Sequence, residues 1–98
     1  MFISCEETKR LIADKQAQLV DVRTPEEFIS SQLPGALNIP LHEIDRVAAQ
    51  KLDKNRPVIV FCRSGQRSYM AQQILMAQSF PEVHNMGPYM AWYQCPDI

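Results

Sequence analysis

The feature that most constrains the fold is the apolar run Val58-Ile59-Val60-Phe61, opened by Pro57 and closed by Cys62-Arg63-Ser64-Gly65-Gln66-Arg67. Four consecutive branched or aromatic side chains without a polar alternate suit a strand covered on both faces. Such strands belong to parallel sheets sandwiched between helices. The rest of the chain agrees with that class. Leu19-Val20-Asp21-Val22 reads as a second short strand, Ala36-Leu37-Asn38 as a third and Val83-His84-Asn85 as a last one. Between them lie amphipathic stretches, such as Leu41, Ile44, Val47, Ala48 and Leu52, and then Met70, Ala71, Ile74, Leu75 and Ala77. Helix starts are marked at Ser4 with Glu7, and at Thr24-Pro25 with Glu27. Pro88 to Gln94 reads as a short C-terminal helix. The alternation predicts an α/β fold with a mostly parallel sheet.

With 98 residues, one domain over residues 1–98 is expected, large enough to bury roughly 60–70% of its unfolded surface. Hydrophobic residues make up 46% and the formal net charge is −1. No run of Lys or Arg is present to neutralise a row of phosphates, so no nucleic-acid partner is expected. No apolar stretch is long enough to span a bilayer, so no membrane partner is expected either. Met1 to Glu7 has neither a basic segment nor an apolar core, so a secretory signal is not expected there. Cys5, Cys62 and Cys95 are odd in number and widely spaced. That pattern does not suit a disulfide framework and favours a reducing, cytoplasmic setting. Cys5 is assigned to the apolar face of the first helix and Cys95 to no chemistry.

Ligands of parallel α/β sheets bind beyond the carboxyl ends of the strands, which directs attention to Cys62. A cysteine between a buried strand and a helix start faces unpaired backbone N–H groups and the positive end of the helix dipole. Arg63 and Arg67 add two charges, and Gly65 lets the loop turn its N–H groups inward. These surroundings favour the nucleophilic thiolate of Cys62. Arg63 is assigned to contact with a donor anion. Arg67 divides between that role and pinning the loop to Asp21 or Glu27. Asp21 and Arg23, on the same sheet edge, are expected to form a structural ion pair. His42 and His84 lack metal-ligand spacing with any cysteine, and no metal site is expected.

Three segments in order resemble single-domain rhodaneses: Asp21-Val22-Arg23-Thr24-Pro25-Glu26-Glu27-Phe28, Pro34-Gly35-Ala36-Leu37-Asn38-Ile39-Pro40, and Cys62-Arg63-Ser64-Gly65-Gln66-Arg67-Ser68. Trp92 also falls where that family often has one. The resemblance implies a rhodanese-like five-stranded parallel sheet flanked by helices on both faces, with the active loop after the fourth strand. It implies a thiosulfate sulfurtransferase without cofactor or metal, in which Cys62 takes sulfur as a persulfide. The loop Arg63, Ser64, Gly65, Gln66 and Arg67 would hold the substrate or anion, with Asp21 and Arg23 in support. The donor is a small molecule such as thiosulfate. The acceptor is cyanide, a low-molecular-weight thiol or a protein thiol, for example on a thioredoxin-like protein. Two segments depart from the family pattern. Ser31-Gln32-Leu33 precedes the Pro-Gly-Ala segment where relatives have Gly-His, and Gly87-Pro88 replaces a Gly-Gly pair in a loop expected to border the pocket.

Rival readings differ in chemistry. Cysteine phosphatases and arsenate reductases hold an anion between Cys and Arg with five residues intervening, whereas Cys62 and Arg67 enclose four. A non-catalytic binding module would not require the cysteine. A sulfur relay would use the same persulfide with a protein acceptor.

Overall fold

The computed structural model describes residues 1–96. In chain order it contains α1 (Cys5–Lys15), β1 (Gln18–Asp21), α2 (Pro25–Ser30), β2 (Leu37–Asn38), α3 (Leu41–Lys51), β3 (Val58–Cys62), α4 (Gln66–Ala77) and β4 (Val83–Pro88), closed by a 3-10 helix (Tyr89–Gln94). The strands form one sheet in the order β2-β1-β3-β4, every pair parallel.

Local chemistry explains the helix starts. The Ser4 hydroxyl accepts from the Glu7 N–H. Thr24 and Glu27 complete a reciprocal capping box, with Pro25 as first helical residue, where its missing N–H costs nothing. Side chains alternate along β3, so its unbroken apolar run feeds two cores. Val58, Val60 and Cys62 pack with Ile44, Ala48, Ala71 and Leu75 from α3 and α4. Ile59 and Phe61 pack with Leu11, Leu19 and Met86, and Tyr89 and Trp92 lie against that second cluster. All five β3 residues are buried.

The sheet has four strands among the described residues, not five, and the cysteine loop follows the third. The segment ahead of α1 explains the shortfall. Ile3 donates to the Asn85 carbonyl at 2.9 Å, so the chain runs beside β4 at that point. Ser4 then caps α1 at once, and the helix begins before a ladder can grow. Gly87 and Pro88 also lie elsewhere than expected. They belong to β4 itself, opposite Phe61 and Cys62, where the register skips Met86 in a bulge.

The cysteine expectation is overturned. Cys5 and Cys95 form a disulfide, Cα–Cα 5.9 Å, across 90 positions of sequence. Two remote positions become neighbours because α1 packs against the closing 3-10 helix. Cys62 is the free cysteine. The argument for a reducing compartment therefore loses its premise. No helix among the described residues is long and apolar enough to cross a membrane.

Candidate active site

Cys62 ends β3 with no exposed surface. The chain then turns through the exposed Arg63 and Ser64 to Gly65, whose φ of 105° places it at the N-cap of α4. Only glycine adopts that backbone angle freely. The turn directs the Gly65 N–H onto Cys62 Sγ at 2.9 Å. The Ser68 hydroxyl, fully buried in the first turn of α4, approaches the same sulfur at 3.5 Å. Backbone N–H groups of Ser64 and Ser68 add to this set.

These contacts decide the ionisation of Cys62. Burial pushes its pKa up, and the Ser68 hydroxyl with the Ser68, Gly65 and Ser64 backbone donors pulls it down. The donors win, and the pKa lies below the ordinary 9.0. The main contributors are short-range donors, the loop and helix-start N–H groups expected from the sequence together with the Ser68 hydroxyl, and the two arginines expected beside them are not among the causes that lower it.

The two arginines are placed differently. Arg67 grips Glu27 of α2 with two bonds, 2.7 and 3.0 Å. That grip, with the Thr24 backbone N–H, holds the Glu27 carboxyl at about 2 against its ordinary 4.5. Arg63 is exposed and makes no ion pair among the described residues. Gln66 opens α4 and is exposed. Asp21 and Arg23 form a buried ion pair at 2.7 Å. Arg23 also donates to the Ser31 carbonyl and stacks over Tyr89 at 4.6 Å. This arrangement braces the sheet edge next to the loop and does not touch Cys62 Sγ.

The sequence reading passed over three contributors. Ser68 was part of the quoted motif, but nothing in its spacing showed that its hydroxyl reaches the sulfur. Asn85, nearly fully buried, donates to the Gly65 carbonyl in a long 3.4 Å bond and accepts from the Gly87 N–H at 2.8 Å. Phe2 lies against Gly65 and Gly87. Neither Asn85 nor Phe2 sits near the loop in sequence. No group of three or more potential metal ligands occurs among the described residues. His84 instead meets Glu82 at 2.8 Å and His42 meets Glu43 at 3.4 Å.

Fold and site together define a parallel α/β protein that presents a single buried thiol to a ring of hydrogen-bond donors at the carboxyl edge of its sheet. The chain belongs to the rhodanese-like domain family, which it matches over residues 4–95. It is 40% identical over 86 residues to a sulfurtransferase of Allochromatium vinosum, covering 87% of this chain and 79% of that one. It is 41% identical over 69 residues to a thiosulfate sulfurtransferase of Escherichia coli, covering 69% of this chain and 66% of that one. The structure of the human single-domain sulfurtransferase superposes with a TM-score of 0.79 at 28% identity, covering 98% of this chain and 97% of the other. These likenesses support sulfur transfer as the general chemistry.

Proposed function

We propose that the protein moves sulfane sulfur from thiosulfate to a thiol or cyanide acceptor through a persulfide on Cys62. The observation that carries this reading is the donor set converging on the sulfur atom itself, with the Gly65 N–H at 2.9 Å. In the first half-reaction the Cys62 thiolate attacks the outer sulfur of thiosulfate. A new S–S bond forms, the S–S bond of thiosulfate breaks, and sulfite leaves with the electron pair. In the second, the acceptor attacks the terminal sulfur and the Cys62 thiolate is regenerated. The same donors stabilise the anionic sulfur before and after transfer, as an oxyanion hole stabilises oxygen. Arg63, exposed beside the nucleophile, meets the sulfonate end of the donor. Because Cys62 has no exposed surface, the loop must shift for the donor to reach it.

The phosphatase-type rival is disfavoured by Arg67. Such chemistry needs the arginine turned into the loop to grip a tetrahedral anion, and here both terminal guanidinium nitrogens are bonded to Glu27. A purely binding role would not require a free Cys62 with the Gly65 N–H and the Ser68 hydroxyl directed at its sulfur.

Intact-protein mass spectrometry after thiosulfate treatment tests the reading. One added sulfur, mapped to Cys62 and removed by cyanide or a thiol, is the expected result. No added sulfur, or sulfur elsewhere, overturns it. A protein thiol on a thioredoxin-like partner is tested as acceptor in the same assay.

A further inference from the structure

The first residues of the chain bear on the active loop. Phe2 is half-exposed, yet its ring lies on the backbone of two glycines from different parts of the fold. A Cβ built on Gly65 would overlap the ring, and one on Gly87 would lie 2.6 to 2.8 Å from three of its carbons. Both glycines have positive φ, 105° and 84°. The two positions thus need glycine twice over, for backbone angle and for the room the ring occupies. One glycine is the loop residue whose N–H reaches Cys62 Sγ. The other stands on β4 opposite Phe61.

The ring is held there by the backbone that follows it. Ile3 donates to the Asn85 carbonyl at 2.9 Å, and α1 begins at Cys5. Asn85 in turn bonds both glycines, through its amide to the Gly65 carbonyl and its oxygen to the Gly87 N–H. The register of β4 against β3 skips Met86, between Asn85 and Gly87. Gly65 is therefore restrained from behind by Asn85 and covered by Phe2.

We infer that Phe2 is a positioning residue for sulfur transfer: its ring presses the active loop against β4 and keeps the Gly65 N–H directed at Cys62 Sγ. The inference rests on the proposed role of Cys62, and deepens it. Without the ring, Gly65 keeps its long bond to Asn85 but gains freedom to rotate, and the 2.9 Å contact on the sulfur weakens.

The test follows Cys62 directly. With Cys5 and Cys95 paired, Cys62 is the one free thiol, so iodoacetamide alkylation against pH reports on it alone. In Phe2→Ala the midpoint is expected to rise by about half a unit to one unit; the absolute rate also carries access to the buried sulfur, so the midpoint is the readout. Phe2→Leu, which restores apolar cover, should return within about twofold of the parent. A ring that merely adds stability would lower the melting temperature and leave the midpoint in place. The second measurement is a cycle with Gly87→Ala. Strain at positive φ is common to both backgrounds, so a smaller effect of Gly87→Ala in the Phe2→Ala protein than in the parent isolates the contact with the ring. An unchanged midpoint in Phe2→Ala overturns the inference, even if Asn85→Ala shifts it. The alkylation readout needs no sulfur donor. Failure of the parent to take up sulfur from thiosulfate therefore refutes the proposed function and leaves the role of Phe2 to be decided separately.

Discussion

A buried thiol is ordinarily a poor acid, because burial disfavours the charged form. At Cys62 that penalty is the largest single influence, and it is outweighed only by several donors acting together, the Ser68 hydroxyl first among them. Ser68→Ala removes that donor and leaves the burial. Its alkylation midpoint should rise toward 9.0, and kcat/KM for thiosulfate should fall about tenfold, the value of roughly one hydrogen bond to a charged group. A midpoint equal to that of the parent would mean the hydroxyl does not serve the thiolate. Arg63→Ala is expected to act otherwise, raising KM for thiosulfate with the alkylation midpoint unmoved, because its guanidinium is exposed and no donor on the sulfur is lost. At this scale the sequence pointed to Cys62 and its loop, since a strand end, a glycine and a helix start are all local. It did not show Ser68's contact, nor Phe2 and Asn85, because which distant side chains meet a loop depends on packing.

The pair Glu27–Arg67 ties α2 to the first turn of α4 and so fixes the helix that supplies the sulfur's donors. The Glu27 carboxyl is held at about 2, below its ordinary 4.5. A depressed carboxyl stabilises the folded state fully above its unfolded value, and the contribution is lost as pH falls through the folded one. The pair's contribution should thus be present at neutral pH and disappear between about pH 4.5 and pH 2. The Arg67 and Glu27 side chains are 35% and 29% exposed, so solvent screening limits the pair to about 1 kcal/mol. Arg67→Ala should melt several degrees below the parent at pH 7, with the gap closing toward pH 2. A gap constant with pH would show that Arg67 stabilises by packing alone. Elements of this kind were legible. The capping box at Thr24 names its helix start, and the β3 run names its strand, because both signals are contiguous. The residues themselves marked four strands, the number the sheet has; the fifth was implied only by the family resemblance, and Ile3 makes one backbone bond to β4 before Ser4 starts a helix. That competition is settled between segments more than eighty residues apart in sequence.

The whole molecule is closed on itself by Cys5–Cys95, which joins the first residue of α1 to the residue just after the 3-10 helix. Spacing alone did not reveal this pairing. Three cysteines permit three single bridges, and the choice depends on α1 lying against the 3-10 helix, a contact between chain ends. The same junction carries Lys9, which reaches the Cys95 carbonyl at 3.1 Å and sits over Trp92 at 4.6 Å. A bridge spanning 90 positions restricts the unfolded chain strongly. The loop-entropy model gives about 4.6 kcal/mol, with measured bridges often below that. Treatment with a dithiol should therefore lower the melting temperature by roughly 10 °C or more. Cys5→Ser and Cys95→Ser should each melt near the reduced parent, and neither should respond further to the dithiol. The mass of unreduced protein should be two hydrogens below that of the fully reduced chain. Sulfur loading from thiosulfate should still map to Cys62 in both variants, because the bridge lies outside the ring of donors around that sulfur. If Cys5→Ser and Cys95→Ser melt with the untreated parent, the bridge contributes nothing to stability, and packing of α1 on the 3-10 helix alone holds the chain ends together.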